Sequence, residues 1–423
     1  MNKILKKIKM MFTDRVLRNR VLFVLGALIL FRMLAAVPVP GIDPIRLQQF
    51  LSSNQFFGIL NIFSGGGLSN LSIVMLGVSP YITASIIMQL LTIMVPRLKR
   101  LYHEEGEIGR KKFTQYSRLI TIPLAALQGF ALLGLLKSQG IITGLIGADL
   151  IINILVIVAG AMLMMWIGEL VTEFGISNGV SIIIFAGIVA ALPGQISQLL
   201  FSYNASQLPI LILLVAVTLI VIAGVVLVSE AERSVPVTYA KQVRGNSVSG
   251  GTTSYLPIRV NQAGVMPIIF ALSLLTFPQL LSGVLIGASS PFLQKIGNAF
   301  ASFTQTSLLY GVLYFILVFL FTYFYTAVTF DPHALSQNLQ RSGAFVPGVR
   351  PGEATEKYFD NVVSRVTLVG ALFLGIIAVL PLIVQSVSGI SSIAIGGTAI
   401  LIVVSVVLDL IKKTDAQLSM REY

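Results

Sequence analysis

The chain has 423 residues, of which 11% are charged and 55% hydrophobic, with a mean hydropathy of +0.89. Soluble domains carry roughly 25% charged residues, so a soluble enzyme, a disordered chain and a collagen-like fibre are excluded, and the composition belongs in lipid. Cys is absent, which removes disulfides and thiol chemistry; the formal charge of +12 points to nucleic acid only if the basic residues are not simply gathered on one side of a membrane.

Residues 1–12 are basic, with Ile4, Leu5, Ile8 and Phe12 at helical spacing and no small-residue cleavage site after them. This predicts a retained interfacial helix, not a signal peptide. Apolar windows of spanning length follow at 21–37, 71–95, 119–136, 150–166 and 180–200, then at 208–228, 263–281, 308–328, 366–384 and 390–408. The predicted fold is therefore all-α, with ten transmembrane helices as five plus five. Its segments are 1–20, a first half over 21–207, a second half over 208–411 with long loops at 229–262 and 329–365, and a tail at 412–423.

Twenty-five of the 29 Lys and Arg residues fall at the N-terminus, in alternate loops and in the tail. Arg46, Lys137 and Lys295 lie on the opposite side, and Arg32 lies inside the first window. Both termini are thus expected in the cytoplasm. With an odd number of spans in each half, any internal repeat must be of inverted topology.

Between the first two windows, 56–70 reads FFGILNIFSGGGLSN, an apolar piece too short to span followed by three glycines. It suits either a movable segment or an interfacial re-entrant turn. The second window carries Gly77, Ser79, Pro80, Thr83, Ser85, Gln89 and Thr92, and the seventh carries Gly264, Pro267, Ser273, Thr276 and Pro278. Polar, Gly/Pro-interrupted helices at corresponding positions of two halves point to a central pathway, or to ordinary small-residue packing.

Ionisable residues are scarce in the windows: Arg32, Glu169 and Asp409 sit towards span ends, where they are expected to reach the interface. His103 and His333 fall in loops and are expected to be solvated. No nucleotide, metalloprotease or nucleophile-elbow motif occurs, so no enzyme, metal or cofactor is assigned. In the loop at 229–262, alternation over 235–243 and 253–260 predicts two strands of a projecting hairpin with Lys241 and Arg244 at its tip. In the loop at 329–365, Arg350 stands between two Pro-Gly turns, Pro347-Gly348 and Pro351-Gly352. Such cations serve either topology or docking.

The motifs that carry a family likeness run the length of the chain. They are Pro38-Val39-Pro40-Gly41-Ile42-Asp43, FSGGGLS from Phe63, PYITASII from Pro80, Gly106-Glu107 with Gly109-Arg110-Lys111-Lys112, NGVSIIIFAGIV from Asn178, the YAK and AGVMP runs, and GAFVPGVRPGE from Gly343. By these the chain resembles bacterial SecY, the large subunit of the Sec protein-conducting channel. The resemblance implies an hourglass of ten helices in two inverted halves. It implies a plug over 57–68 (Phe57, Ile59, Leu60, Ile62, Phe63, Ser64, Gly65, Gly66, Gly67, Leu68) and a pore ring of Val78, Ile82, Val180, Ile184, Ile269 and Ile402. A lateral gate would involve Thr83, Gln89 and Asn261, and Lys241, Arg244, Arg341 and Arg350 would form a docking surface. Implied partners are SecE and SecG, the SecA ATPase, the ribosome through its RNA, secretory signal peptides and anionic lipids. Val78 and Val180 depart from the more usual Ile.

Two readings compete on the residues themselves. A passive polypeptide channel needs an aliphatic waist and large docking loops, whereas an inverted-repeat secondary transporter of a small solute needs a polar, often charged site at the midplane.

Overall fold

The computed structural model describes residues 14–39, 61, 64–68, 71–138, 147–201, 208–240, 242–244, 247–249, 251, 253–286, 290–301, 308–388 and 392–419. The helices are α1 (Arg15–Ala35), α2 (Ser79–Met94), α3 (Pro96–His103), α4 (Gly106–Ser138), α5 (Ala148–Phe174), α6 (Gly179–Phe201), α7 (Leu208–Glu230), α8 (Met266–Ile286), α9 (Pro291–Ala301), α10 (Leu308–Thr329), α11 (Pro332–Arg341), α12 (Glu353–Ser388) and α13 (Ser392–Ser419). The strands are β1 (Glu232–Tyr239), β2 (Gln242–Arg244), β3 (Ser247–Ser249), β4 (Thr253–Arg259) and β5 (Ala344–Phe345). Every apolar window overlaps a helix. Among the described residues four helical stretches, Gly106–Lys137, Ala148–Phe174, Leu308–Arg341 and Glu353–Ser386, are by themselves long and apolar enough to span. The pair α2 and α3 forms another candidate, bent by 114°. The predicted N-terminal interfacial helix lies outside the described residues.

One window starts later than its hydropathy suggests. Residues 71–78 are apolar and buried but run in turns, and the helix begins only at Ser79. Gly77 at φ 55° and Leu71 at φ 40° cannot continue a right-handed helix, while Pro80 suits its first turn. Backbone groups away from water need partners, and this segment finds them in the chain leaving α1. Val39 N–H donates to Leu71 O at 2.9 Å, and Ile73 N–H donates to Val37 O at 3.0 Å.

The molecule divides into two compact units. One comprises Met1–Leu214, Leu272–Tyr310 and Pro381–Tyr423. Its core joins Leu71 and Met75 of the turns to Leu132 and Leu136 of α4 and Ile157 of α5. Gly160 of α5 faces Ile73 so closely that a Cβ would overlap the Ile73 carbonyl. Since lipid tails are as apolar as Leu, such close approach at small residues is what holds helices together there.

The other unit comprises Val215–Ala271 and Gly311–Leu380. Here β1 pairs antiparallel with β4, from Glu232↔Arg259 to Thr238↔Thr253. The predicted hairpin is present, but its outer part breaks at Ala240 into a separate β2–β3 ladder with Arg244↔Ser247. Strand β5, from the following loop, adds to β1 at Thr238↔Phe345 and Tyr239↔Ala344. Val235 and Ile258 on the inner face pack with Val346, Phe359, Val362 and Val363. Each such side chain, fully buried, contributes roughly 1.5–3 kcal/mol. Helix α12 begins at Glu353, well before its apolar window, because Phe359 and Val362 cover this sheet.

Candidate functional site

The glycine run sits in a tight, anchored turn. Gly65 and Gly66 have φ of 63° and 88°, which L side chains rarely adopt. Phe31 of α1, fully buried, lies over Gly65, and a Cβ on Gly187 of α6 would overlap the Gly65 backbone. Polar groups then close the turn. Ser72 Oγ donates to Gly67 O at 2.9 Å, Leu68 N–H donates to Ser64 Oγ at 3.0 Å, and Arg32 Nη1 donates to Gly65 O at 3.4 Å. Ser64, Gly65, Gly67 and Leu68 are buried. Phe57, Ile59, Leu60, Ile62 and Phe63 lie outside the described residues.

Four predicted ring residues are almost fully buried in the first unit: Val78 (0% exposed), Ile82 (5%), Ile184 (0%) and Ile402 (0%). Val78 ends the turn segment and caps α2, with Ile82 one turn on. Ile184 lies on α6 and Ile402 on α13, and these two helices pack against each other. Val180 is half-buried and packs on Gly168 of α5, close to where a larger side chain there would stand. Ile269 is buried in α8, within the part of that helix that belongs to the second unit.

The predicted gate residues have distinct settings. Thr83 of α2 lies 3.0 Å from Ser273 of α8, hydroxyl to hydroxyl. Because Thr83 Oγ1 already donates to Ser79 O at 3.0 Å, its remaining role is to accept, and Ser273 donates. Gln89 Nε2 donates to Ser85 Oγ at 3.2 Å within α2. Asn261, in the second unit, donates to Gly264 O at 3.3 Å. The amide oxygens of Gln89 and Asn261 are buried without a hydrogen-bond partner among the described residues.

The predicted docking arginines belong to the braced sheet unit. Arg350 is exposed, and its loop is stiffened on both flanks: Gly348 and Gly352 have φ of 83° and 98°, Thr355 Oγ1 donates to Arg350 O at 2.8 Å, and Ser336 Oγ donates to Gly352 O at 2.7 Å. Arg341 is exposed at the end of α11, and Arg244 has its backbone in β2. Lys241 lies outside the described residues.

The scarce ionisable groups towards the span ends also have protein partners. Glu169 Oε1 accepts a hydrogen bond from Arg118 Nε of α4 at 2.9 Å, and the ion pair is completed by Nη2 lying 2.7 Å from Oε2. Asp409 meets Ser177 and Lys413. In the second unit, exposed His333 is not merely solvated. Its Nδ1 lies 2.7 Å from Glu356 Oε2, and this hydrogen bond and charge raise its pKa above the ordinary histidine value. Sequence reasoning missed the Ser177 and Arg118 partners, because nothing in helical periodicity says which span ends meet.

Against this geometry the comparisons with known proteins are consistent along the chain. The SecY family profile matches residues 72–411. The protein translocase subunit SecY of Thermus thermophilus is 44% identical over 417 residues, covering 96% of this chain and 94% of the relative. That of Mycobacterium tuberculosis is 41% identical over 428 residues, covering 96% of each. Among solved structures, a protein-conducting channel aligns with a TM-score of 0.63 at 19% identity, over 94% of this chain and 91% of that one. A SecY channel, whose plug domain is described as stabilising its closed state, aligns at 0.65 and 18%, with the same coverage. At such identity the likeness to the solved structures speaks for the fold alone. This chain is a multi-pass membrane protein and belongs to the SecY family of protein translocase subunits.

Proposed function

We propose that this chain is the central subunit of a protein-conducting channel in the bacterial cytoplasmic membrane, with both termini in the cytoplasm. It passes unfolded secretory polypeptides across and releases signal or transmembrane helices sideways into lipid. The observation that carries this reading is the match to SecY translocase subunits over nearly the whole chain. It performs no covalent chemistry; a bound motor ATPase such as SecA, or a translating ribosome, supplies the work, and SecE and SecG complete the membrane complex.

Each part of the pathway then has a physical task. Val78, Ile82, Val180, Ile184, Ile269 and Ile402 form the waist, where aliphatic side chains exclude water and ions yet offer no polar contact to hold a passing chain. The glycine turn at 64–68 is the anchored end of the plug. Thr83 and Ser273 close the lateral gate. One such hydrogen bond is worth about 0.6 kcal/mol on average in a membrane, so an apolar signal helix, favoured in lipid by ~0.3–0.6 kcal/mol for each Leu, Ile, Phe or Val at its centre, outweighs it. Lys241, Arg244, Arg341 and Arg350 face the docking partner, and cationic tips suit the phosphates of ribosomal RNA. Anionic lipids neutralise the basic loops.

Replacing Val78, Ile82, Ile184, Ile269 and Ile402 together by Gly tests the waist. Ion conductance of the purified channel in planar bilayers rises if they seal the pore; unchanged conductance refutes the assignment.

A further inference from the structure

The cytoplasm-facing ends of two ring helices are joined by a three-residue polar knot that the resemblance does not assign. On α13, Asp409 follows Ile402 by seven residues, so both lie on one face of the helix, two turns apart. In the break between α5 and α6, Ser177 stands three residues before Val180 and seven before Ile184. Ser177 is buried, and its hydroxyl donates to Asp409 Oδ2. Lys413 Nζ reaches the same oxygen at 2.9 Å and Ser177 Oγ at 3.2 Å. The break itself is held: Gly179 N–H donates to Thr172 Oγ1 at 2.8 Å, and Ser181 N–H donates to Asn178 Oδ1 at 3.2 Å. Ser177 is therefore a fixed point relative to α6.

A carboxylate on an apolar helix is costly unless partnered. Lys413 lies one turn on along α13 itself, whereas Ser177 lies on the neighbouring element and bonds both of them, so it is the Ser177 contacts that tie the rotation and sideways position of α13 to the break before α6. Helix α13 packs along α6, and Ile184 of the one and Ile402 of the other are fully buried. We propose that Ser177, Asp409 and Lys413 are positioning residues that bolt α13 to α6 and so set the width of the aliphatic waist. The proposal rests on the reading of Val180, Ile184 and Ile402 as lining that waist.

The test is ion conductance of the purified channel in planar bilayers without precursor. Asp409→Leu keeps α13 apolar and removes the bolt; Ser177→Ala removes one hydroxyl and Ser177→Thr retains it. The first two conduct several-fold more than the parent, and Ser177→Thr behaves as the parent. The chain has no Cys, so the pair Ser177→Cys with Asp409→Cys carries the only thiols, and bridging them with a short bifunctional reagent returns conductance to the parental level. Parental conductance in both Asp409→Leu and Ser177→Ala overturns the bolt, as does a leak that bridging leaves unchanged; where Asp409→Leu does not insert, Ser177→Ala decides. Export of a reporter precursor in cells depleted of the native chain separates the two claims. Normal export with no added leak in either variant removes the bolt alone, whereas a parent chain that supports no export removes the channel reading itself.

Discussion

Gly187→Ala on α6 separates the stability of the fold from closure of the channel, because the two effects have opposite signs. A Cβ at Gly187 overlaps the Gly65 Cα and stands 2.6 Å from the Gly65 carbonyl carbon, at least ~1 Å inside the ~3.5–4.0 Å of an ordinary carbon–carbon contact. The neighbour is backbone of a turn clamped by Phe31, Arg32 and Ser72, so the turn moves as a body or not at all. Overpacking of this kind costs about 1–3 kcal/mol, which corresponds to roughly 5- to 150-fold in the balance between seated and displaced turn. In the helix itself, Ala is favoured over Gly by ~0.8–1.0 kcal/mol, so α6 is not weakened. The expected phenotype is a normally inserted protein with raised resting ion conductance and export of precursors bearing weakened signal sequences. Resting conductance and signal stringency both equal to the parent's would refute the idea that the turn on Gly187 is part of the seal.

Three further outcomes follow from the same geometry. Cross-linking the Thr83→Cys, Ser273→Cys pair blocks export of signal-bearing precursors and reduction restores it; export through the cross-linked pair would show that α2 and α8 need not part. Arg350→Glu abolishes export while membrane insertion of the chain itself, read by protease protection, stays normal; normal export in that variant removes Arg350 from docking. The His333–Glu356 pair titrates with a definite sign. Its histidine pKa is raised, so its contribution to stability is complete below about 6.5 and is lost as pH climbs through the raised value. Glu356→Gln returns the His333 pKa towards the ordinary value in an NMR titration of the reconstituted protein, and an unmoved pKa would deny the coupling.

Helix α2 illustrates how far sequence patterns reach. Hydropathy placed a span at 71–95, yet only 79–94 is helical, because Leu71–Val78 are apolar for burial against α4 and α5 and not for contact with lipid. Apolar character reports burial, and burial is the same whether a turn or a helix is being buried. The hairpin was legible from its alternation, but strand β5 was not, since a two-residue strand has no period to detect.

Composition, the ten apolar windows and the placement of Lys and Arg determined by themselves that this is a polytopic helical membrane protein, because lipid admits only segments that satisfy their own backbone. Motif likeness along the chain was enough for its family. Tertiary structure alone decided which groups meet: the Gly65 turn on Phe31 and Gly187, Thr83 on Ser273, Ser177 on Asp409, and the two long loops sharing one sheet. Those pairings join residues tens to hundreds of positions apart, and their geometry comes from close packing and hydrogen-bond satisfaction across the fold, which no local period in the chain encodes.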